Sequence, residues 1–354
     1  MRFAGRMLCW GLLTAARLFG AAHDFGSPNL IRYDARCLTL NGQDVFISSV
    51  PFDYAGVELK LWRERLRQVK SEGFNAVSAS ASDLSALPQW LHLVHDEFGL
   101  YSIVRSNGNW AAVASVVGAE QITHRLGRPG GTILLELPQG RDLKAEYRAA
   151  TAAGIDVPLF ALGAPLVRDS DDPDLGKIFD ALPLDGRSPA DQAIAQQMAA
   201  LESAQPDAPV LVERSPALSD PPRELMQALM AIQDGATILS LNWSQAALPD
   251  AIRLNRMLAQ SGPDLARSYP LTIQAQTGSP EVTLVVRRSR GGATYLFLLN
   301  HSTTAARRGR ASLWLDRDGV EFGVDYGLPP LTGRVMRLPP HSTDTSQVEQ
   351  LLGE

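Results

Sequence analysis

The hydrophobic pattern is clearest between residues 46 and 80, where two short apolar runs flank an amphipathic segment. Residues 46–50 (FISSV) form the first run and predict a strand. Four apolar residues then recur at helical spacing: Leu59, Trp62, Leu66 and Val69. Gly73 ends this predicted helix, and residues 75–79 (NAVSA) predict a second strand. The stretch is therefore a βαβ unit, whose crossover we expect to be right-handed.

The same alternation of strand and helix continues through most of the chain. Further strands are predicted at residues 100–104, 132–137, 157–162, 177–182, 209–213 and 237–243. Together with the intervening amphipathic segments they give eight strands and about seven helices, the pattern of an α/β protein with a (β/α)8 TIM barrel. We expect the barrel to span residues 28–262. An open doubly wound sheet is the alternative, but no G-x-G-x-x-G or P-loop motif supports it.

Three other segments depart from this alternation. Residues 28–45 predict a lead-in hairpin with Asn41-Gly42 as its turn. From about residue 271 the apolar period changes from 3.6 to 2, which predicts a small antiparallel β domain, a sandwich, over residues 268–340. Residues 341–354 are polar, and we expect them to form a flexible tail.

Composition narrows the range of partners. The chain has 354 residues, of which 45% are hydrophobic and 20% charged, and its formal net charge is −5. These values are typical of a globular protein. The acidic balance provides no basic surface for nucleic acid, so we expect no nucleic-acid partner.

The N-terminus resembles a secretory signal. Arg2 and Arg6 precede an apolar run at residues 7–16, and small residues at 20–22 suit cleavage before His23. This predicts a signal peptide over residues 1–22 and a secreted or periplasmic protein. An apolar N-terminal helix or an uncleaved signal is the alternative. No apolar run reaches the roughly 18 residues of a membrane span.

Cysteine and histidine usage predicts neither a metal site nor a cofactor. The chain has two cysteines, Cys9 and Cys37, and removal of a signal would leave Cys37 without a partner for a disulfide. The six histidines show no ligand pattern. His92 and His95 are three residues apart on a predicted helix and could chelate a metal, but a pair on the helix surface is the favoured interpretation.

One family resemblance is carried by the opening βαβ unit. A strand and a tyrosine are followed by W-x-x-x-L-x-x-x-K-x-x-G-x-N-x-V, which stands here as Tyr54, Trp62, Leu66, Lys70, Gly73, Asn75 and Val77. This resembles the first βαβ unit of glycoside hydrolase family 35, the β-galactosidase family. Residues 98–105, 130–136, 154–159 and 209–213 are similar to later strands of that family. The likeness covers roughly residues 30–245.

The resemblance implies retaining hydrolysis by two carboxyl groups about 5 Å apart at the open end of the barrel. The family's nucleophile, at the end of strand 7, corresponds to Glu213. The alternative is a structural role for Glu213, paired with Arg214 or Arg105. The family's acid/base belongs to an E-N-E-Y-G motif after strand 4, which is absent here. Glu136 falls on an earlier position of that strand, so a buried structural role is favoured for it.

Other potential site residues come at predicted strand ends. The resemblance and this position give Tyr54, Arg105, Asn107, Asn109, Asn242 and Trp243 as substrate-binding residues. Asp83 and Asp180 are alternative proton donors to Glu136. Most aromatic and polar residues that hold the sugar in family 35 are replaced in this chain, as in residues 214–217 (RSPA) after Glu213.

Two functional hypotheses follow. The first is a family-35-like, β-galactosidase-like glycosidase that acts on a β-galactoside or related glycan by a retaining mechanism. The second, favoured by the loss of the acid/base motif, is a non-catalytic pseudoenzyme that binds a saccharide or a protein partner. Both use the same barrel and differ only in chemistry.

Overall fold

The structure is a computed structural model of the chain. It describes residues 23–25, 31–34, 36–106, 110–123, 130–136, 143–152, 155, 157–162, 178–183, 196, 200, 209–214, 218, 220–314, 321–340 and 347–353. The predicted signal peptide at residues 1–22 lies outside these residues, as do Asn107 and Asn109.

Four short antiparallel strands form a sheet ahead of the barrel: β1 (His23–Phe25), β2 (Ile31–Tyr33), β3 (Leu38–Leu40) and β4 (Gln43–Val45). Asn41 and Gly42 join β3 to β4 with φ values of 51° and 79°, as a type I′ turn requires. The predicted hairpin turn is confirmed. Arg267 holds this sheet in place, because it donates to Asp44 Oδ2 at 2.8 Å and pairs with Asp34.

In the described part of the chain, eight parallel strands close into a barrel. They are β5 (Ile47–Pro51), β6 (Ala76–Ser80), β7 (Tyr101–Arg105), β8 (Gly131–Glu136), β9 (Leu159–Leu162), β10 (Ile178–Pro183), β11 (Val210–Arg214) and β12 (Ala236–Leu241). Each strand pairs with the next, and β12 returns to β5. The prediction of a (β/α)8 barrel is confirmed. Because all strands run the same way, their carboxyl ends meet at one mouth.

Six helices lie within the described residues: α1 (Leu59–Ser71), α2 (Leu87–His92), α3 (Trp110–Thr123), α4 (Leu143–Ala152), α5 (Pro221–Gln233) and α6 (Leu248–Ala266). A π-helical turn (Leu93–Glu97) extends α2. Helix α1 buries Trp62, Leu66 and Val69 as its pattern predicts. Leu59 differs from the prediction, since it is 52% exposed at the first turn of the helix.

The first two barrel strands are joined by the side chain of Asn75. Its Oδ1 accepts from the backbone N–H of Ser48 at 2.9 Å, and its Nδ2 donates to the carbonyl of Phe46 at 2.8 Å. Gly73, at φ 84°, reverses the chain just before it, which a residue with a Cβ does only with strain. The Gly73 and Asn75 positions of the sequence motif are therefore turn and strand-bridging positions.

The C-terminal region forms two antiparallel sheets. One contains β13 (Tyr269–Pro270), β15 (Val282–Arg288), β16 (Thr294–Asn300), β19 (Thr332–Leu338) and β20 (Glu349–Leu352); the other contains β14 (Ala275–Gln276), β17 (Arg307–Trp314) and β18 (Glu321–Leu328). Central strand β16 is buried along its whole length. Leu296 and Leu298 face the smaller sheet, whereas Phe297 and Leu299 pack with α5 and α6.

The predicted flexible tail requires a correction. Residues 349–352 form β20, which pairs with β19 through Val335↔Leu352 and Arg337↔Glu349. Leu352 is buried in the same core as α5, and this apolar contact explains why the polar composition of the tail was misleading. Among the described residues, no helix is both long enough and apolar enough to cross a membrane.

Replacement of Asn75 by Ala should lower the free energy of unfolding by about 1–3 kcal/mol, because two buried backbone groups lose their partner. Gln68→Ala is the matched control, since the Gln68 amide only donates to Glu72 on the exposed face of α1 and should cost less than about 0.5 kcal/mol. Urea denaturation measures both. Equal losses would contradict the bridging role of Asn75.

Candidate active site

Three charged side chains stand at the carboxyl ends of barrel strands. Arg105 is the last residue of β7, Glu136 is the last of β8, and Glu213 is the last but one of β11. Counted from β5, the two glutamates lie on the fourth and seventh strands of the barrel. This mouth is the end at which (β/α)8 barrels carry their active sites.

An ion pair crosses the barrel interior at this level. Arg105 Nη2 pairs with Glu213 Oε1 and donates to Ser240 Oγ at 3.4 Å. Because β7 is adjacent to neither β11 nor β12 in the barrel, these contacts require the side chains to point inward. Glu213 is 6% exposed and Glu136 is 9% exposed, while 19% of the Arg105 side chain reaches solvent.

The two buried carboxyl groups differ in their electrostatic surroundings. Burial raises the pKa of Glu136 to about 7, with the charge of Glu213 raising it further and that of Arg105 opposing the shift. Burial also raises the pKa of Glu213, but there both the charge and the hydrogen bond of Arg105 act against it. Glu136 thus retains a proton close to neutral pH, while Glu213 has a direct cationic partner. Such a difference is typical of an acid and a nucleophile.

Small hydroxyl side chains occupy the strands across from Arg105. Ser240 is the register partner of Glu213, and Ser49 is that of Ser240. Ser240 Oγ donates to Ser78 Oγ on β6 at 3.1 Å. Large branched side chains usually fill a barrel at these positions, so serines leave room for the long side chain of Arg105.

Arg214, next to Glu213, turns the other way. Its Nη1 donates to the carbonyl of Glu224 at 3.0 Å and to Gln227 Oε1 at 3.2 Å, both on α5. Burial lowers the pKa of Arg214 to about 10, against the charge of Glu224. The partner of Glu213 is therefore Arg105 rather than Arg214, as strand alternation requires, since successive side chains point to opposite faces.

Arg214 also orders the loop that follows β12, a role that the sequence analysis missed. Its guanidinium lies 5.0 Å from the centroid of the Trp243 ring, and its Nη2 donates to the carbonyl of Asn242 at 3.2 Å. Ser244 N–H donates to Glu224 Oε2 at 2.9 Å in the same loop. Asn242 and Trp243 are thus held, partly exposed, directly after a barrel strand. The sequence feature that could have indicated this role is the arginine at the end of an apolar strand.

Tyr54 lies in the core. It is 1% exposed, its hydroxyl donates to the carbonyl of Asp83 at 2.9 Å, and its ring stacks on Trp90 at 5.2 Å. Trp62 Nε1 in turn donates to the carbonyl of Tyr54 at 3.1 Å. The predicted contact of Tyr54 with a sugar is corrected to a packing role, because both its ring and its hydroxyl are engaged within the protein.

Neither alternative proton donor is supported by its surroundings. Asp83 Oδ1 accepts from Ser85 Oγ at 2.7 Å and from the Ser85 N–H at 2.9 Å, just before α2. These hydrogen bonds, with that from Ala86 N–H, lower the pKa of Asp83, the opposite of what an acid at neutral pH requires. Asp180 lies on β10, but its side chain is outside the described residues.

The predicted surface pair of histidines is wrong for His95. Its ring contacts Glu120 Oε1 at 2.5 Å and Ser102 Oγ at 2.9 Å, and the residue is fully buried. Over the described ranges, no cluster of three His, Cys, Asp or Glu side chains is arranged to hold a metal. Cys37 is free and buried, and burial raises the pKa of its thiol well above the usual value, which makes it unreactive.

Comparison with known proteins assigns the fold. No family model matches the chain, and no curated protein matches its sequence. Alpha-galactosidase I from Mortierella vinacea superimposes with a TM-score of 0.55 at 10% identity, covering 84% of this chain and 98% of that one. A family 27 β-L-arabinopyranosidase from Geobacillus stearothermophilus, in complex with arabinose, gives 0.52 at 8% identity, covering 84% and 98%.

A glycoside hydrolase of family 5 from Bacteroides vulgatus gives a TM-score of 0.51 at 10% identity, covering 89% of this chain and 90% of that one. At such identities the likeness concerns the fold. The chain thus has a glycosidase-like barrel fold, shared by members of different glycoside hydrolase families.

Replacement of Glu136 by Gln should change how stability depends on pH. The folded-state pKa of about 7 lies above the ordinary value of 4.5, so the native protein binds this proton more tightly than the unfolded chain does. The resulting stabilisation is complete below about pH 4.5 and is lost as the pH rises through 7. Relative to wild type, the glutamine variant should therefore gain roughly 2–4 kcal/mol between pH 4.5 and 8.

Urea denaturation at several pH values measures this difference. Glu64→Gln, on the exposed face of α1, is the control and should follow the wild-type curve. Parallel curves for wild type and Glu136→Gln would show that the Glu136 carboxyl has an ordinary pKa.

Proposed function

We propose that the protein is a retaining glycosidase of family-35 type, acting on a β-galactoside or a related glycan. The observation that carries the proposal is the pair of buried carboxyl groups on the fourth and seventh strands, Glu136 and Glu213, with Arg105 bound to the second. The resemblance of the first βαβ unit to family 35 supports the finer assignment, and the glycosidase-like fold supports the broader one.

Each side chain then has a defined task. Glu213 attacks the anomeric carbon and forms a glycosyl ester, while the proton of Glu136 passes to the departing glycosidic oxygen. Glu136, now ionised, takes a proton from water as that water displaces the sugar from Glu213, which restores both groups. Arg105 favours the ionised form of Glu213 before the attack. It also lowers the pKa of Glu136, which helps the second step.

The saccharide would contact the partly exposed groups of the mouth. Arg105 keeps part of its guanidinium in solvent, and the loop of Asn242 and Trp243 is held in place by Arg214. An aromatic ring with a few fixed polar groups is a typical sugar-binding arrangement. We include Asn107 and Asn109 as further substrate-binding residues on sequence position alone.

The alternative is a pseudoenzyme that binds a saccharide without cleaving it. Two observations favour it: Arg105 occupies an oxygen of Glu213, and Tyr54 is used in packing. In this case Glu213 serves to hold Arg105 rather than to attack a substrate. Both proposals predict saccharide binding at the mouth, and only the first predicts turnover.

An aryl β-galactoside separates the two proposals. We expect release of the phenol by the wild-type protein, a loss of about 10³-fold or more in kcat for Glu213→Gln, and a loss of about 10²–10⁴-fold for Glu136→Gln. Glu64→Gln is the control and should retain full activity. Saturable galactose binding, seen by ligand-observed NMR, without any phenol release would establish the pseudoenzyme instead.

We also propose that the protein is exported with removal of residues 1–22. The arginines at 2 and 6, the apolar run and the small residues before His23 support this. N-terminal sequencing of the protein from its native source should begin at His23. A mature N-terminus at Met1 in a cytosolic fraction would contradict export and leave the glycosidase proposal untouched.

A further inference from the structure

A small cavity lies where the barrel helices meet the C-terminal sheets. It has a volume of about 70 Å³ and is walled by Leu225 of α5, Arg253 of α6, the turn between β18 and β19, and Gly353 after β20. None of the residues that line it belongs to the barrel mouth. A cavity needs only about 10–15 Å³ to hold one water, so this one has room for a small polyatomic group.

The charges on the wall have one sign. Arg253 and Arg334 line the cavity, and no carboxylate does so among the described residues. Arg253 forms an ion pair with Asp250. Arg334 has no ion pair within the described residues, and its buried Nε lies against Gly353. The cavity wall is therefore positively charged, and among the described residues it carries no carboxylate to neutralise Arg334.

The turn that closes one side of the cavity is held rigidly. Asn300 Nδ2 donates to the carbonyls of Leu328 and Pro329 at 3.1 and 2.8 Å, and Thr332 Oγ1 donates to the Pro329 carbonyl at 2.8 Å. Leu331 has a φ of 49°, a left-handed conformation that is rare for a residue of its size. Strain of this kind is often retained at ligand sites.

The backbone groups around the cavity are engaged within the protein. The carbonyl oxygens of Leu328 and Pro329 already accept hydrogen bonds from Asn300. The Arg334 side chain lies against Gly353, where an added Cβ would come within 3.1 Å of its Cγ. The absence of a side chain at Gly353 therefore lets the β20 backbone approach Arg334 closely and fixes the position of the guanidinium stem.

We propose that this cavity binds a small oxyanion of the phosphate or sulfate class, with Arg334 as its main ligand and Arg253 as the second. Arginine presents several N–H donors in a planar fork that matches such an anion. The bound anion would bridge the two guanidinium groups and would link α6 to the C-terminal sheet. The proposal does not depend on the glycosidase chemistry.

Thermal unfolding with inorganic phosphate tests the proposal, in an amine buffer at constant ionic strength set with sodium chloride. We expect Tm to rise in a saturable way, by about 2–3 °C at ten times Kd, with sulfate acting similarly. Arg334→Met should abolish the rise and Arg253→Met should weaken binding. Arg308→Met is the matched control: it removes an exposed arginine of β17 that does not line the cavity, and the rise should persist.

Calorimetric titration with phosphate gives the stoichiometry, which should be one site per chain. If Arg334→Met does not fold, Arg334→Lys keeps the charge but removes the planar fork of N–H donors, and it should weaken binding at least about fivefold. A wild-type protein without a saturable response, or an equal response in a folded Arg334 variant, would overturn the proposal. Glu213→Gln should leave phosphate binding unchanged, which separates this site from the barrel mouth.

Discussion

The ion pair between Arg105 and Glu213 joins strands that are not neighbours in the barrel, and the chemistry of the mouth depends on it. Two carboxyl groups and one guanidinium share a poorly solvated interior, where an unbalanced charge is costly. One cation can balance one carboxylate, and Arg105 is bound to Glu213. Burial is the main cause of the raised pKa of Glu136, and the negative charge of Glu213 raises it further, so Glu136 keeps its proton close to neutral pH.

The sequence alone was sufficient to predict the barrel and the strand end at which Glu213 lies, because short apolar runs alternate with segments of helical periodicity. It was insufficient for Glu136. The resemblance placed this residue too early on its strand, whereas in the structure β8 ends at Glu136 and closure of the barrel brings the strand end to the mouth. The residue at which a strand ends depends on its pairing with neighbouring strands, and the hydrophobic pattern of one segment does not specify that pairing.

Side-chain direction explains most of the remaining differences. Arg105 and Arg214 were equal candidates to pair with Glu213 on sequence alone, although a residue adjacent to Glu213 on the same strand must face the other way. The environment of Tyr54 depended on contacts distant in sequence, since Trp90 stacks on it from α2. Likewise, β20 forms because Leu352 finds a place beside α5, a contact that the polar residues around it did not indicate.

One apolar core extends across the boundary between the barrel and the C-terminal sheets. Leu229 of α5 and Leu258 of α6 pack in the same cluster as Phe297 and Leu299 of β16. If the chain were cut near residue 268, α5 and α6 would stay with the barrel but lose the sheet that covers them, and the sheet would expose one face of its central strand. The two regions are therefore interdependent in folding. They should unfold in a single cooperative transition, and neither should be soluble and stable when expressed without the other.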